Sequence, residues 1–399
     1  MNIRSGLPKD FIASNYDAII VGAGFAGAVC ARRFVETCGW RVCVLERRPH
    51  IAGNAYDCKD EAGVLIHKYG PHIYHTTSDR VDSFLTRFSE FTPYQHKVLA
   101  NIHGKLIPVP FNHQALKICF GEERGEKLYN KLVATFGVNK KVPIMELREK
   151  NDEDLHEVAD FVYENIFLHY TMKQWGKTPD EIDPSVMGRV PVFIGDDCRY
   201  FPLATYQGMP RDGYTKLFEN MLDHDLITVC VDVDARDFLR VEGDEVFVGD
   251  TPFAGEVIYT GALDELFNMD MGALPYRSVD MKFETLDMDE FQPAATVNYT
   301  VSEDFTRITE FKHMTGQVLP GKTTILKEYP KAYTPNSDQT PYYVINEPQN
   351  IELYKKYRAR IDCVLNFHVV GRLAEYRYYD MDGVCAAALE LSDEIIAHH

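Results

Sequence analysis

Short apolar runs and amphipathic stretches alternate along the chain in three distinguishable blocks. Residues 16–21 (Tyr-Asp-Ala-Ile-Ile-Val) read as a buried strand that enters Gly22-Ala23-Gly24-Phe25-Ala26-Gly27, and the small residues beyond, up to Arg32 and Arg33, read as a helix. A second strand, Arg41-Val42-Cys43-Val44-Leu45, ends in Glu46. From 77 to 175 the period turns helical. Val81, Phe84, Leu85 and Phe88 follow a cap at Ser78, Leu128, Leu132, Val133 and Phe136 form a second stripe, and Leu155, Val158, Ala159, Val162 and Ile166 form a third. Residues 214–222 read as a helix, and 227–233 and 256–260 as strands. The stretches 281–286, 295–301, 306–311 and 323–329, rich in Thr, Val, Ile and Tyr, suit an antiparallel sheet. Near the end, 369–372 reads as a strand entering a turn and 382–390 as a helix of small residues.

The first block carries chemistry. A G-x-G-x-x-G between strand and helix permits a tight turn at Gly22, close approach of a pyrophosphate at Gly24 and tight helix packing at Gly27, while the helix N-terminus offers free N–H groups to phosphate. Glu46, about 20 residues on, is placed to bind ribose hydroxyls. The predicted fold class is α/β: a Rossmann-like dinucleotide-binding domain (16–77 with 214–265 and 360–399), an inserted helical domain (78–175) and an antiparallel β-sheet domain (176–213 with 266–359). No second such glycine motif is found, which argues against an ordinary NAD(P)H-driven reductase.

Charge and composition narrow the rest. With 42 Lys+Arg against 60 Asp+Glu the net charge is −18, and no basic run stands out, so nucleic acid and anionic membranes are poor partners. The nine cysteines are irregularly spaced without C-x-x-C, which indicates reduced thiols and a cytoplasmic setting, with no metal site. Residues 1–15 lack the apolar core of a signal peptide and read as a loose tail, and no run reaches membrane-span length.

Arg47-Arg48-Pro49-His50-Ile51-Ala52-Gly53-Asn54 after Glu46 resembles the E-[KR]-R-x-x-x-G-G extension of two-dinucleotide-domain flavoproteins, with Asn54 in place of the second glycine. That resemblance favours FAD over NAD and implies that the last helix points its N-terminus at the flavin.

Further motifs follow in order: Tyr69-Gly70-Pro71-His72-Ile73-Tyr74-His75-Thr76, Ile107-Pro108-Val109-Pro110-Phe111-Asn112, Gln174-Trp175-Gly176, Gly188-Arg189-Val190-Pro191, Arg199-Tyr200-Phe201, Thr306-Arg307-Ile308-Thr309-Glu310, Pro341-Tyr342-Tyr343, and Arg372-Leu373 with Tyr376-Arg377-Tyr378-Tyr379-Asp380-Met381. Together they resemble the UDP-galactopyranose mutases over nearly the whole chain. The resemblance implies an isomerase that interconverts UDP-galactopyranose and UDP-galactofuranose for cell-wall polysaccharide. The resemblance further implies that N5 of reduced FAD attacks the sugar anomeric carbon and expels UDP, after which the covalent adduct opens to an iminium and the ring contracts. An external reductant such as NAD(P)H keeps the flavin reduced, and a homodimer is implied. The alternatives are an amine-oxidase- or desaturase-like flavin oxidoreductase, or a non-catalytic binding protein on the same scaffold.

The same resemblance distributes roles. Arg189 and Arg307 stabilise the departing diphosphate, with hydroxyls from Tyr343 and Tyr378. Phe167, Tyr170, Tyr200 and Phe201 contact the uridine, Trp175 and Arg189 lie on a closing loop, and Asn298 completes the substrate set. His72 and His75 are the histidines near the flavin and join Arg189 and Arg307 as the catalytic set. Cofactor contacts fall to Gly22, Gly24, Phe25, Ala26, Gly27, Glu46, Arg47, Gly53, Asn54, His72, Arg372, Tyr379, Asp380 and Met381. Ala374-Glu375 departs from a family Gly-Thr, and Gln95-His96 from an Asn-His pair.

Overall fold

The computed structural model describes residues 3–176, 178 and 191–399. Its centre is a six-stranded sheet in which every neighbouring pair is parallel, in the order Ile3–Ser5, Ile227–Val231, Val42–Leu45, Ala18–Val21, Glu256–Tyr259, Phe367–Val369. Both faces are covered, as parallel sheets require. Alternate residues divide between them: Val42 and Val44 join the apolar cluster with the helices Phe25–Cys38, Tyr214–Leu222 and Met381–His398, whereas Cys43 and Leu45 face a second cluster that includes Tyr357, Ile361 and Leu263. The C-terminal helix is longer than predicted and packs along the helix that follows the glycine loop.

Two sequence expectations are corrected. Residues 1–15 are not wholly a loose tail, because Ile3–Ser5 adds an edge strand beside Ile227–Val231 and Leu7 and Phe11 pack on the apolar cluster beneath. Nor is 78–175 helical throughout. Val98–Ile102 and Lys105–Val109 form a hairpin whose turn residues, His103 and Gly104, both have positive φ, the conformation a two-residue hairpin demands. The burial of Val98, Ala100 and Ile102 alternates with their neighbours, so their period is two and not 3.6.

That hairpin joins the predicted strands in one seven-stranded sheet, ordered Tyr343–Val344, Tyr276–Leu286, Thr323–Ala332, Arg307–Glu310, Thr296–Tyr299, Val98–Ile102, Lys105–Val109. The helices proper run from His113–Phe120 through Glu122–Phe136 and Glu153–Val162 to His169–Trp175. Between the last two, Tyr163–Leu168 forms a π-helical turn, and its buried Phe167 lines the larger cavity described below. All nine cysteines are free.

Candidate functional site

Two adjoining cavities lie between the parallel sheet and the seven-stranded sheet, and Asn54, His72, Arg372 and Met381 line both. The smaller, about 220 Å³, is lined by the glycine loop, the strand end at Glu46 and charged side chains that include Asp234, Arg236 and Glu265. Gly22 has φ +103°, and a Cβ there would sit 2.0 Å from Thr260 Oγ1; a Cβ on Gly27 would sit 2.0 Å from the Gly22 carbonyl oxygen. Gly24 caps the following helix without any side-chain oxygen, so nothing from a side chain competes for the N–H groups of the first turn. The Glu46 carboxylate, 6% exposed, accepts from Ala23 N and Arg48 N at 2.9 Å each, which fixes it at the strand end; each oxygen keeps a second lone pair for a ribose hydroxyl. This cradle fits a dinucleotide, since a helix N-terminus without a side-chain cap and a carboxylate with free lone pairs line one cavity.

The predicted cofactor residues divide. Gly22, Gly24, Phe25, Ala26, Glu46, Arg47, Gly53, Asn54, His72, Arg372 and Met381 line the smaller cavity. Gly27 lies behind it as a packing glycine, and Arg47 turns its guanidinium to Glu265 at 2.9 Å. Tyr379 lines neither cavity: its hydroxyl bonds to Glu375 and accepts from Gly371 N at 2.8 Å, so it braces the segment from behind. Glu375, one of the family departures, completes this brace by accepting from Gly371 N at 2.9 Å.

The glycine pair is also displaced from its expected place. Ala52 (φ 73°) and Gly53 (φ 54°) hold the two left-handed positions, and Gly53 lies against Gly24, where a Cβ would come within 3.0 Å of Gly24 Cα. It is therefore Ala52 that stands for the first glycine, not Asn54 for the second. Asn54 instead receives Arg48 at 3.0 Å.

The larger cavity, about 600 Å³, is built from side chains. Its floor is a row across three neighbouring strands, because Asn298 is registered on Arg307 and Arg307 on Glu328. Arg307 Nε stands 3.1 Å from Glu328 Oε2, yet Asn298 Oδ1, Arg307 Nε and Glu328 Oε1 are all buried without a hydrogen-bond partner. Burial works against the Arg307 charge, but Glu328 and neighbouring tyrosines hold it firmly protonated. Burial in turn raises the Glu328 pKa, and Arg307 offsets only part of that. Three unpartnered polar atoms in one row are costly in a closed core and are what a polar ligand would satisfy.

Around this floor stand the predicted aromatics Phe167, Tyr170, Trp175, Tyr200, Phe201, Tyr343 and Tyr378. The rings of Tyr343 and Tyr378 are 5.8 Å apart, and the Arg372 guanidinium covers Tyr378 at 4.6 Å while Nε donates to Tyr379 O at 2.6 Å. His75 stacks on Phe201 at 3.6 Å, with Nε2 3.8 Å from Asp380. Asp380 occupies the N-cap position of the last helix but makes no cap bond, and instead accepts from Tyr378 Oη at 3.2 Å. His72 donates through Nδ1 to Gly70 O at 2.8 Å, and burial pushes its pKa down to about 3, so it is a neutral wall near pH 7. Burial also lowers His75.

Arg189 lies outside the described residues, as do Gly188, Pro179 and Pro184 of the expected loop. Sequence reasoning missed Glu328 and Thr296 in the wall. The signal for Glu328 was available: it follows Leu326 by two in a strand, so it shares the buried face of an apolar residue.

A parallel doubly wound sheet with a glycine-loop cradle, opening into a side-chain cavity floored by one arginine, defines a dinucleotide-binding α/β enzyme with a second, anion-compatible ligand site. Residues 20–88 match the model of an NAD(P)-binding Rossmann-like domain, and residues 165–378 match that of UDP-galactopyranose mutase. The UDP-galactopyranose mutase of Mycoplasma pneumoniae is 32% identical over 96% of this chain and 97% of its own length. A dTDP-fucopyranose mutase of Escherichia coli is also 32% identical, over 96% and 98%. A crystal structure of reduced UDP-galactopyranose mutase superposes with TM-score 0.70 at 16% identity, covering 96% of both chains. The chain belongs to the UDP-galactopyranose mutase family, a family of isomerases.

Proposed function

We propose that the chain interconverts UDP-galactopyranose and UDP-galactofuranose, with FAD in the glycine cradle and the nucleotide sugar in the larger cavity. The observation that carries this reading is the orphaned row Asn298–Arg307–Glu328, which faces the cavity next to the residues shared with the cradle. Held in the cradle, reduced FAD would supply the chemistry, a nucleophilic ring nitrogen for the sugar's anomeric carbon.

The protein's own part is to hold a diphosphate that leaves and returns. Arg307, fixed in register by its strand and kept charged by Glu328, receives the phosphate oxygens as a planar fork. Tyr343 and Tyr378 line the same cavity and offer neutral hydroxyl donors, since burial keeps both phenols protonated. Phe167, Tyr170, Tyr200 and Trp175 provide apolar wall for the base and exclude water from the reacting carbon. The chain then works as a soluble homodimer in the cytoplasm, with NAD(P)H as reductant.

The deciding experiment mixes UDP-galactofuranose with enzyme in reduced and oxidised form and follows UDP-galactopyranose, with dTDP-fucopyranose offered in parallel. Isomerisation by the reduced form alone, with no stoichiometric consumption of reductant, is expected. Oxidation of a substrate without isomerisation overturns the proposal, and preference for the deoxynucleotide keeps the chemistry but changes the substrate.

A further inference from the structure

Trp175 closes one side of the larger cavity and the Tyr342-Tyr343 pair another, and both meet at a single buried residue that neither motif contains. Arg277, 8% exposed, sits in the strand Tyr276–Leu286. Its guanidinium donates through Nε to Gln174 O at 2.8 Å and through Nη2 to Lys173 O at 3.3 Å, the last carbonyls of the helix that ends in Trp175. A cation there meets the negative end of the helix dipole and satisfies acceptors that the helix itself leaves open. The main chain of Arg277 faces the other wall: it is registered on Tyr343, and its carbonyl accepts from Tyr342 N at 2.9 Å.

Two further contacts show how closely the turn is held. Gly176 ends the helix with φ +64°, and a Cβ on it would lie 3.0 Å from Arg277 Nη1. Lys173 reaches the opposite way, donating to the carbonyls of Tyr299, Glu303 and Phe305 at 2.6, 2.9 and 3.2 Å. The Trp175 turn is thus tied to the strand of the tyrosine wall by Arg277 and to the 299–305 loop, next to Asn298, by Lys173.

We propose that Arg277 is a positioning residue that sets the distance between the Trp175 wall and the Tyr342-Tyr343 wall, and so the fit of the nucleotide between them. The proposal rests on the UDP-sugar reading for its kinetic consequence but not for its structural one. Arg277 touches no reacting atom, so its loss should weaken binding more than turnover.

The test uses the chain's two tryptophans: Trp40→Phe leaves Trp175 as sole reporter in the flavin-loaded enzyme. In that background Arg277→Met should raise acrylamide quenching of Trp175 about twofold and raise KM for the UDP-sugar about tenfold, with kcat within about threefold and flavin content unchanged. Arg277→Lys, which keeps the charge but not the fork, should recover part of both effects. Should Arg277→Met fail to fold, Gly176→Ala displaces the guanidinium without removing it and should shift quenching and KM in the same direction. Unchanged quenching and KM in folded Arg277→Met or Gly176→Ala overturn the proposal. A wild-type chain inactive on UDP-galactofuranose overturns the functional reading instead, while the quenching comparison, made without nucleotide, still decides the positioning role.

Discussion

The two halves of the cleft are built by different means. At the cradle end main chain reaches the cavity wall at Gly22, Gly24 and Gly53, which have no side chain to cover it, and the Glu46 carboxylate stands beside them. At the larger cavity the polar groups are side chains drawn from separate strands and helices, and the row Asn298–Arg307–Glu328 exists only because three strands are in register. A backbone site fails when something is added to it. A side-chain site fails when a charge is removed.

The largest effect should come from addition. Gly27→Ala puts a methyl 2.0 Å from the Gly22 carbonyl oxygen and 3.0 Å from Ile20 Cγ2, and the nearer of the two is main chain that cannot swing aside. The expected cost is on the order of 3–5 kcal/mol, with loss of bound flavin. Yellow protein of normal flavin content and melting temperature would refute the steric account.

Removal comes next. Arg307→Ala should fold and bind flavin, because the cradle does not include it, yet lose roughly 2–4 kcal/mol of transition-state stabilisation in kcat/KM. It also leaves the Glu328 carboxylate, 4% exposed, without its cation. Adding Glu328→Gln should therefore restore stability without restoring turnover. If the double variant is no more stable than the single, the pair is not coupled as described.

The histidines sharpen the contrast further. His67 accepts from His72 N at 3.0 Å through Nδ1, and burial alone pushes its pKa down to about 4. His96, in the larger cavity, is pushed down to about 3 by burial and, secondarily, by Arg307. Both are neutral in the fold, whereas the unfolded imidazoles take up protons as pH falls below about 6.5. The unfolded chain then binds more protons, so stability is complete above that pH and is lost on acidification toward the folded pKa. Each histidine should account for roughly 2 kcal/mol between pH 6.5 and 5. Arg307→Ala should raise the His96 pKa and leave that of His67 in place, as imidazole NMR titration would show. Movement of both by the same amount would mean that the Arg307 charge is felt well beyond the larger cavity, since His67 lines neither cavity.

What could be read in the sequence follows the same division. The cradle is local: strand, glycines, helix and Glu46 lie within 31 residues (16–46), so spacing alone exposed it. Arg307 and the aromatics were found only through their surrounding motifs, since no periodicity distinguishes a cavity arginine from a surface one. Glu328 escaped because its partner lies on another strand and only the sheet register brings them together. The 98–109 hairpin was absorbed into a helical block because its period-two alternation spans few residues, and Tyr379 was assigned to the cofactor because sequence adjacency to Tyr378 and Asp380 does not say which way a side chain faces.

The smallest expected effect concerns the glycine pair. Ala52 and Gly53 have similar φ, 73° and 54°, so a side chain at either position bears a similar left-handed penalty of about 1–2 kcal/mol. What differs is where Cβ points. Ala52 is 1% exposed and its methyl is packed in the apolar cluster, where burial returns about 0.8 kcal/mol, and its own N–H still reaches Ala23 O at 2.9 Å. Replacing it with glycine relieves the penalty but forfeits that packing and adds about 0.5–1 kcal/mol of unfolded-state freedom. Ala52→Gly should therefore be neutral within about 0.5 kcal/mol and keep its flavin, since these contributions nearly cancel. Gly53→Ala bears the same conformational penalty and in addition drives a methyl to 3.0 Å from Gly24 Cα, parting the two loops that form the cradle. It should bind flavin more weakly than Ala52→Gly. Equal flavin affinity in the two variants would mean that left-handed backbone alone, and not the contact between the loops, shapes this end of the cleft.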